Sequence, residues 1–159
     1  MKKSLILAAI LAVVSVATAV AQPRAIGANI GWGLDVSYQH SLSDANMIDL
    51  SVNIPFFNGI GATATYDWVN PFGTEIPWSN KGEWNWSLGV GAGAGIYGFK
   101  SPAVYVGAVG HVGVEYNFWF PLQLSVDYRP NIGVGIAGKK AYFNDLGYTG
   151  ITLGVRYLF

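Results

Sequence analysis

The 159-residue sequence contains no cysteine, and only 11% of its residues are charged. Without cysteine, the chain has no disulfide framework, no thiolate metal site and no cysteine nucleophile. The charged fraction is well below the roughly 25% that is usual in a soluble domain. Because nine basic residues balance nine acidic ones, the chain also lacks the basic surface that nucleic-acid-binding proteins carry.

After residue 21, no apolar run has the length and composition of a membrane-spanning helix. The uncharged stretch between Glu83 and Lys100 contains five glycines, and each costs a helix roughly 1 kcal/mol relative to alanine. Even so, 52% of the sequence is hydrophobic and 14% is aromatic. A closed β-barrel is the remaining structure with which such a chain could span a membrane.

The first 21 residues differ from the rest in the order of their charged, apolar and small residues. Lys2 and Lys3 precede an apolar run over 5–17, and Ala19-Val20-Ala21 follows it. This order predicts a secretory signal peptide over 1–21 that is cleaved after Ala21, which leaves 22–159 as one domain. The alternative is an uncleaved anchor, but the run is shorter than the roughly 20 residues that a spanning helix needs.

Apolar and polar residues alternate in segment after segment, which is the period of a strand with two different faces. Bacterial single-chain barrels have an even number of strands, so the long segment 25–40 is divided at Gly31-Trp32-Gly33. The sequence therefore predicts an all-β fold, an antiparallel up-and-down transmembrane β-barrel of eight strands. The predicted strands are 25–30, 34–40, 48–56, 60–68, 84–96, 104–118, 122–128 and 151–159.

A soluble, lipocalin-like barrel or sandwich would place the apolar rows inside. The polar rows consist mostly of Gly, Ser, Thr and Asn, which suit a narrow interior better than a surface in water. Pro130 cannot donate to a strand ladder, so it is expected at or beyond a strand end. An outer loop is expected over 133–147.

Aromatic residues are expected to form belts at both membrane interfaces. The belt at the periplasmic end, where both termini are placed, would contain Tyr38, Tyr66, Trp68, Trp84, Trp86, Tyr116, Phe118, Tyr157 and Phe159. The opposite belt would contain Trp32, Phe56, Phe57, Tyr97, Phe99, Tyr142 and Phe143. This orientation puts the longest connection, 69–83, on the periplasmic side, whereas extracellular loops are normally the longer ones. Either the protein departs from that rule or 69–83 hides a further strand.

The last eight residues, TLGVRYLF, continue the alternation to Phe159. They resemble the C-terminal assembly signal of bacterial outer-membrane β-barrels, with Thr152, Gly154, Tyr157 and Phe159 on its polar, glycine and aromatic positions. The chain as a whole resembles small eight-stranded outer-membrane barrels of the OmpX and OmpA-domain type. The resemblance implies an outer-membrane location in a Gram-negative bacterium. It also implies two partners, the outer-membrane lipids and the barrel assembly machinery, which captures the last strand by edge pairing. It implies no particular activity.

A cluster of ionisable residues is expected inside the barrel: Glu115, Asp127, Arg129, Arg156 and His111. Two acids and two arginines in a narrow lumen should pair, because an unpaired buried charge is costly. Since eight strands enclose only enough space for side chains, we predict a plugged, non-conducting lumen. A narrow gated pore is the alternative. Asp35, Asp49 and Asp67 have no obvious basic partners and are expected to be solvated by water.

The two histidines are the candidates for an enzymatic base. His111 lies four residues before Glu115, and His40 lies near Ser41, Ser43 and Asp44. Some small barrels modify lipid A with a histidine, a serine and an acid near the outer leaflet, but neither histidine is clearly placed there. The sequence therefore predicts a structural or interaction role with no catalytic residue, cofactor or metal, and a lipid-A-modifying enzyme is the alternative.

Overall fold

The computed structural model describes residues 22–31, 33–55, 58–73, 81–98, 102–138, 140–144 and 150–159. Residues 1–21, and with them the expected signal peptide, lie outside this range. No helix in the described part of the chain is long and apolar enough to cross a membrane. The strands are β1 (Gln22–Ile30), β2 (Leu34–Ser43), β3 (Asn46–Ile54), β4 (Gly59–Pro71), β5 (Gly82–Tyr97), β6 (Ala103–Phe118), β7 (Gln123–Tyr128), β8 (Asn131–Ala137), β9 (Lys140–Asn144) and β10 (Ile151–Leu158).

These segments form a closed antiparallel barrel of eight strands, as the alternation predicts. Neighbouring strands pair from β1 to β6, and β10 closes the ring by pairing with both β1 and β7. β7 and β8 lie one after the other along β6. They make up the seventh barrel strand. β9 and β10 follow one another along the other side of that strand and make up the eighth.

Pro130 interrupts the seventh barrel strand without ending it. β7 ends at Tyr128, as expected near a proline, but β8 resumes at Asn131 in the same register against β6. The backbone N–H of Gly110 donates to the carbonyl of Pro130 over 2.7 Å. Proline lacks only the donor, so its carbonyl can still accept in the ladder.

The prediction of an outer loop over 133–147 is therefore wrong for most of its length, since β8 and β9 occupy most of it. β8 and β9 form a hairpin in which Ala137 pairs with Lys140. Gly138 in the turn has a φ of 60°, a left-handed conformation that glycine adopts without steric cost. The alternation of Ile132, Val134 and Ile136 indicates this strand in the sequence. It was not predicted because Pro130 was expected to end the strand before it.

Other predicted boundaries agree more closely with the structure. The division at 31–33 is confirmed, because β1 ends at Ile30 and β2 begins at Leu34. The long connection over 69–83 is shorter than expected, since β4 continues to Pro71 and β5 begins at Gly82. This connection lies at the same end of the barrel as Gln22 and Leu158, and its residues 74–80 are outside the described range.

The distribution of polarity is inverted relative to a water-soluble fold. Among the described residues, only four hydrophobic side chains are buried, whereas seventeen polar or charged ones are buried. In β10, for example, Leu153 and Val155 are exposed on the outer face, and Arg156 points inward with 1% of its surface exposed. The structure thus places the apolar rows outside, contrary to the soluble alternative.

Aromatic side chains gather at the end of the barrel that carries the termini. Tyr66 and Trp68 pack edge to face with ring centroids 5.3 Å apart, and the rings of Tyr157 and Phe159 do the same at 5.5 Å. The rings of Trp84 and Tyr116 are 4.9 Å apart across two neighbouring strands. These pairs agree with the first expected belt.

The opposite belt is only partly as expected. Phe143 is 77% exposed, but Tyr97 does not join it. Instead, Tyr97 lies on the inward row of β5 and stacks on the buried Tyr105, with centroids 5.0 Å apart and planes 18° apart. Strict alternation along β5 from the buried Asn85 places Tyr97 inside. Trp32, Phe56, Phe57, Phe99 and the side chain of Tyr142 lie outside the described residues.

Candidate functional site

The candidate site is the polar interior, where arginine and histidine side chains from distant strands meet carboxylates. The first pair lies near the end that carries the termini. Arg24 forms an ion pair with Glu115, and its Nη1 also donates to Gln39 over 2.8 Å. Gln123 donates to the same carboxylate over 3.1 Å. Arg24 was not among the predicted lumen charges, because the predicted first strand begins at Ala25, three residues after β1 begins in the structure.

Arg156 occupies the centre of the lumen and has no exposed side-chain surface. Its Nη2 lies 3.1 Å from Asp127 and donates to Asn29 over 3.0 Å. The remaining donors reach Ser37 at 3.0 Å and Ser125 at 2.6 Å. One guanidinium from β10 therefore connects β1, β2 and β7 across the interior. Of the two acids and two arginines expected to pair with one another, Asp127 and Arg156 do so, whereas Glu115 pairs with Arg24 and Arg129 pairs with Asp49.

His111 is 1% exposed and lies between two carboxylates. Its Nδ1 is 3.0 Å from Asp67, and its Nε2 is 2.9 Å from Asp127. This arrangement suits an imidazolium, whose two N–H groups both donate. Glu115, four residues further along the same strand, is not among these partners: the carboxylates that hold the ring come from β4 and β7.

Arg129 joins the seventh barrel strand to β3. Its Nη2 donates to Asp49 over 3.0 Å, and its Nη1 donates to the hydroxyl of Ser51. Asp49 also accepts from Gln39 over 3.2 Å. The expectation that Asp49 and Asp67 lack partners and are solvated is therefore wrong: both are buried and hydrogen-bonded by protein groups. Asp35, in contrast, is half-buried and lines a small cavity beside Arg129.

One group in the described residues has the spacing of a metal site. Ligand atoms of Asp49, Asp67 and His111 lie within 4.8 Å of one another. However, both ring nitrogens of His111 already face carboxylates, and Asp49 already accepts from the guanidinium of Arg129. A metal ion would have to displace these contacts and lie beside a fixed positive charge, so the group fits an internal network better.

The two histidines are not arranged for nucleophilic catalysis. The hydroxyl of Ser125 donates to Asp127 over 2.5 Å instead of facing His111, which is closed off from solvent. His40 is half-buried, and its Nδ1 is 2.9 Å from the hydroxyl of Tyr38. Within the described residues, neither histidine has a hydrogen bond to a serine hydroxyl, which is the contact that activates a serine nucleophile.

The four residues of the C-terminal motif have distinct positions in β10 and just after it. Tyr157 and Phe159 are exposed on the outer face, at 53% and 68%. Gly154 faces inward, where a Cβ atom would collide with the side chains of Ser125 and Asn29. Thr152 is half-buried, and its hydroxyl is 3.5 Å from the carbonyl of Asp127. The strand that carries the motif closes the barrel by pairing with β1 and β7.

The Gly89→Ala variant tests how tightly this interior is packed. A Cβ atom at Gly89 would overlap Oδ1 of Asp67, the residue that holds His111, and would lie 2.9 Å from the carbonyl oxygen of Tyr66. We expect the free energy of unfolding to fall by about 1–3 kcal/mol, the usual cost of overpacking. Urea titration of the protein in detergent micelles measures it.

The matched control for this variant is Gly93→Ala on the same inward row of β5. Its Cβ would lie 2.9 Å from a methyl group of Thr63 and 3.2 Å from the next atoms, so a small shift accommodates it. We expect it to cost clearly less than Gly89→Ala. Equal costs at the two positions would mean that the Asp67–His111 contact does not limit the space beside β5.

Comparison of the chain with models of protein families, with curated proteins and with solved structures finds no match.

Proposed function

We propose that the protein is an integral outer-membrane β-barrel with a plugged lumen and a structural or interaction role in the cell envelope. The observation that carries the proposal is the inverted polarity of the barrel. Side chains such as Val90 and Val106, each 60% exposed, form an apolar outer surface, while Arg156 and Asp127 are buried inside. A contiguous apolar surface of this kind costs free energy in water and is stabilised by lipid.

The plugged lumen is supported by the contacts that cross it. Arg156, Arg129 and His111 each bridge strands that are not neighbours in the barrel, through Ser37, Asp49 and Asp67. Opening a path through the interior would break several charge-assisted hydrogen bonds at once, and each buried charge would then lack its partner. These contacts favour the plug over the narrow pore.

The proposed location and assembly follow from the resemblance noted in the sequence. Residues 1–21 would direct export through the inner membrane, and Tyr157 and Phe159 would present the aromatic positions of the assembly signal. In this proposal the assembly machinery pairs with β10 before β10 pairs with β1. Outer-membrane lipids then cover the apolar surface.

Cell fractionation and an unboiled detergent gel test the membrane proposal together. We expect the full chain in the outer-membrane fraction, released by detergent but not by salt or carbonate, with a folded band that shifts in mobility on boiling. A folded barrel in detergent resists unfolding because its closed sheet has no unpaired edge strand. Recovery of folded protein from the periplasm without detergent would contradict the membrane location.

Conductance separates the plug from the pore. In planar bilayers we expect the purified protein to give no steady single-channel current at moderate voltage, since a lumen of eight strands is filled by side chains. A general porin in the same bilayer serves as the positive control. Regular channel openings that depend on the protein would contradict the plugged lumen and support the narrow pore.

A further inference from the structure

A small cavity lies inside the barrel at the end away from the termini. It is lined by Asp35, Asn53, Thr63, Arg129 and Thr152, among others. The space available to the centre of a water-sized sphere is about 30 Å³. A single water sphere occupies about 10–15 Å³, so a space of this size for its centre is roomy enough to hold water.

Two buried polar atoms of the residues that line it lack protein partners within the described part of the chain. Oδ1 of Asn53 accepts no hydrogen bond, and Nε of Arg129 donates none, although these residues are only 5% and 9% exposed. The other guanidinium nitrogens of Arg129 are bound to Ser51 and Asp49. Leaving a buried donor or acceptor unsatisfied costs about 1–3 kcal/mol, so a partner in the cavity would be stabilising.

The charges around the cavity select the kind of partner. A cation beside Asn53 Oδ1 would face the guanidinium of Arg129, and an anion beside Arg129 would face the carboxylate of Asp35. Water both donates and accepts, so it satisfies the amide oxygen and the Nε–H without adding charge. We propose that this cavity is a binding site for ordered water that donates to Asn53 Oδ1 and accepts from Arg129 Nε.

The site makes the interior asymmetric. Arg129 would be hydrated at Nε, whereas Nε of Arg156 donates to the hydroxyl of Ser37 over 3.0 Å and has no exposed side-chain surface. Two guanidinium groups of one barrel thus differ in a single measurable property, which is contact between the Nε–H proton and water. Arg156 is therefore a built-in control for Arg129.

Water-selective nuclear Overhauser measurements on the arginine Nε–H protons test the proposal. The full chain is labelled with ¹⁵N-arginine and folded in detergent micelles, and Arg129→Lys and Arg156→Lys variants assign the two signals. We expect a cross-peak to water at Arg129 and none at Arg156, since an ordered water lies within hydrogen-bond distance of only the first. Absence of the Arg129 cross-peak, or cross-peaks of equal strength, would overturn the proposal.

A variant that fills the cavity provides a second readout. Asn53→Leu removes the unsatisfied oxygen and adds an apolar side chain, so we expect the water cross-peak of Arg129 to weaken by about threefold or more. Asn85→Leu is the matched control, because Asn85 is also buried in the lumen but contacts Glu115. It should leave the Arg129 signal unchanged. A shift of that signal on addition of rubidium or bromide ions would instead identify an ion as the occupant and refute the water site.

Discussion

Replacing Arg156 with methionine is expected to destabilise the barrel more than any other single replacement in the interior. Methionine keeps much of the volume but removes the donors that reach Asn29, Ser37, Ser125 and Asp127. Breaking a buried ion pair by removing one partner costs about 3–5 kcal/mol, because the other charge stays buried and unpaired. Urea titration in micelles, followed by the mobility shift of the folded band, measures the change in unfolding free energy.

Two further variants distinguish the charge from the packing. Arg24→Met removes an arginine whose side chain is 15% exposed at the end of the barrel, so its loss should cost less. Combining Arg156→Met with Asp127→Asn removes both charges of the central pair. We expect the double variant to be less destabilised than the sum of the single variants. Additive costs would show that the two side chains do not interact as the structure indicates.

Replacing Val90 with arginine is expected to have the next largest effect, at the other surface of the barrel. Val90 lies near the middle of β5 and is 60% exposed on the outer face. If this face contacts lipid, an arginine at mid-membrane costs about 2–4 kcal/mol. Reversible urea unfolding in lipid vesicles measures this cost. In water the same replacement at an exposed valine would change stability little.

Val104→Arg is the matched control for this experiment. Val104 is also an outward valine, 53% exposed, but it lies at the start of β6. Near the interface an arginine costs about 0–1 kcal/mol, since its side chain can extend into the headgroup layer. Similar costs at Val90 and Val104 would mean that no hydrocarbon layer surrounds the barrel, and the proposed membrane location would fail.

The strands and their faces could be predicted because alternation is a local property. Residues 122–128 and 151–159 show their inward and outward rows without reference to any other part of the chain. The same rule, applied strictly, places Tyr97 inside with Asn85. The prediction of an aromatic belt instead placed Tyr97 on the outer face, which is wrong. The predicted end of the seventh strand near Pro130 was wrong for a related reason. A proline lacks a backbone donor, but the barrel strand continues past it.

Which charges meet across the lumen could not be predicted in the same way. Arg129 and Asp49 are 80 positions apart, and Arg24 and Glu115 are 91 apart. The sequence showed that these residues share an interior, but not that Asp67 rather than Glu115 would face His111. Arg24, the partner of Glu115, lies outside the first predicted strand.

Alternation along each strand depends only on the backbone geometry of an extended chain, so the sequence alone determines the polar and apolar rows of the strands. The even strand number of bacterial barrels then brings the count to eight. The pairing of charges depends on how the strands are staggered when β10 closes against β1. In a barrel, strand number, tilt and stagger together decide which side chains lie at the same height inside. That stagger is a property of the closed ring, and for this reason the network of Arg24, Arg129, Arg156 and His111 emerged only from the tertiary structure.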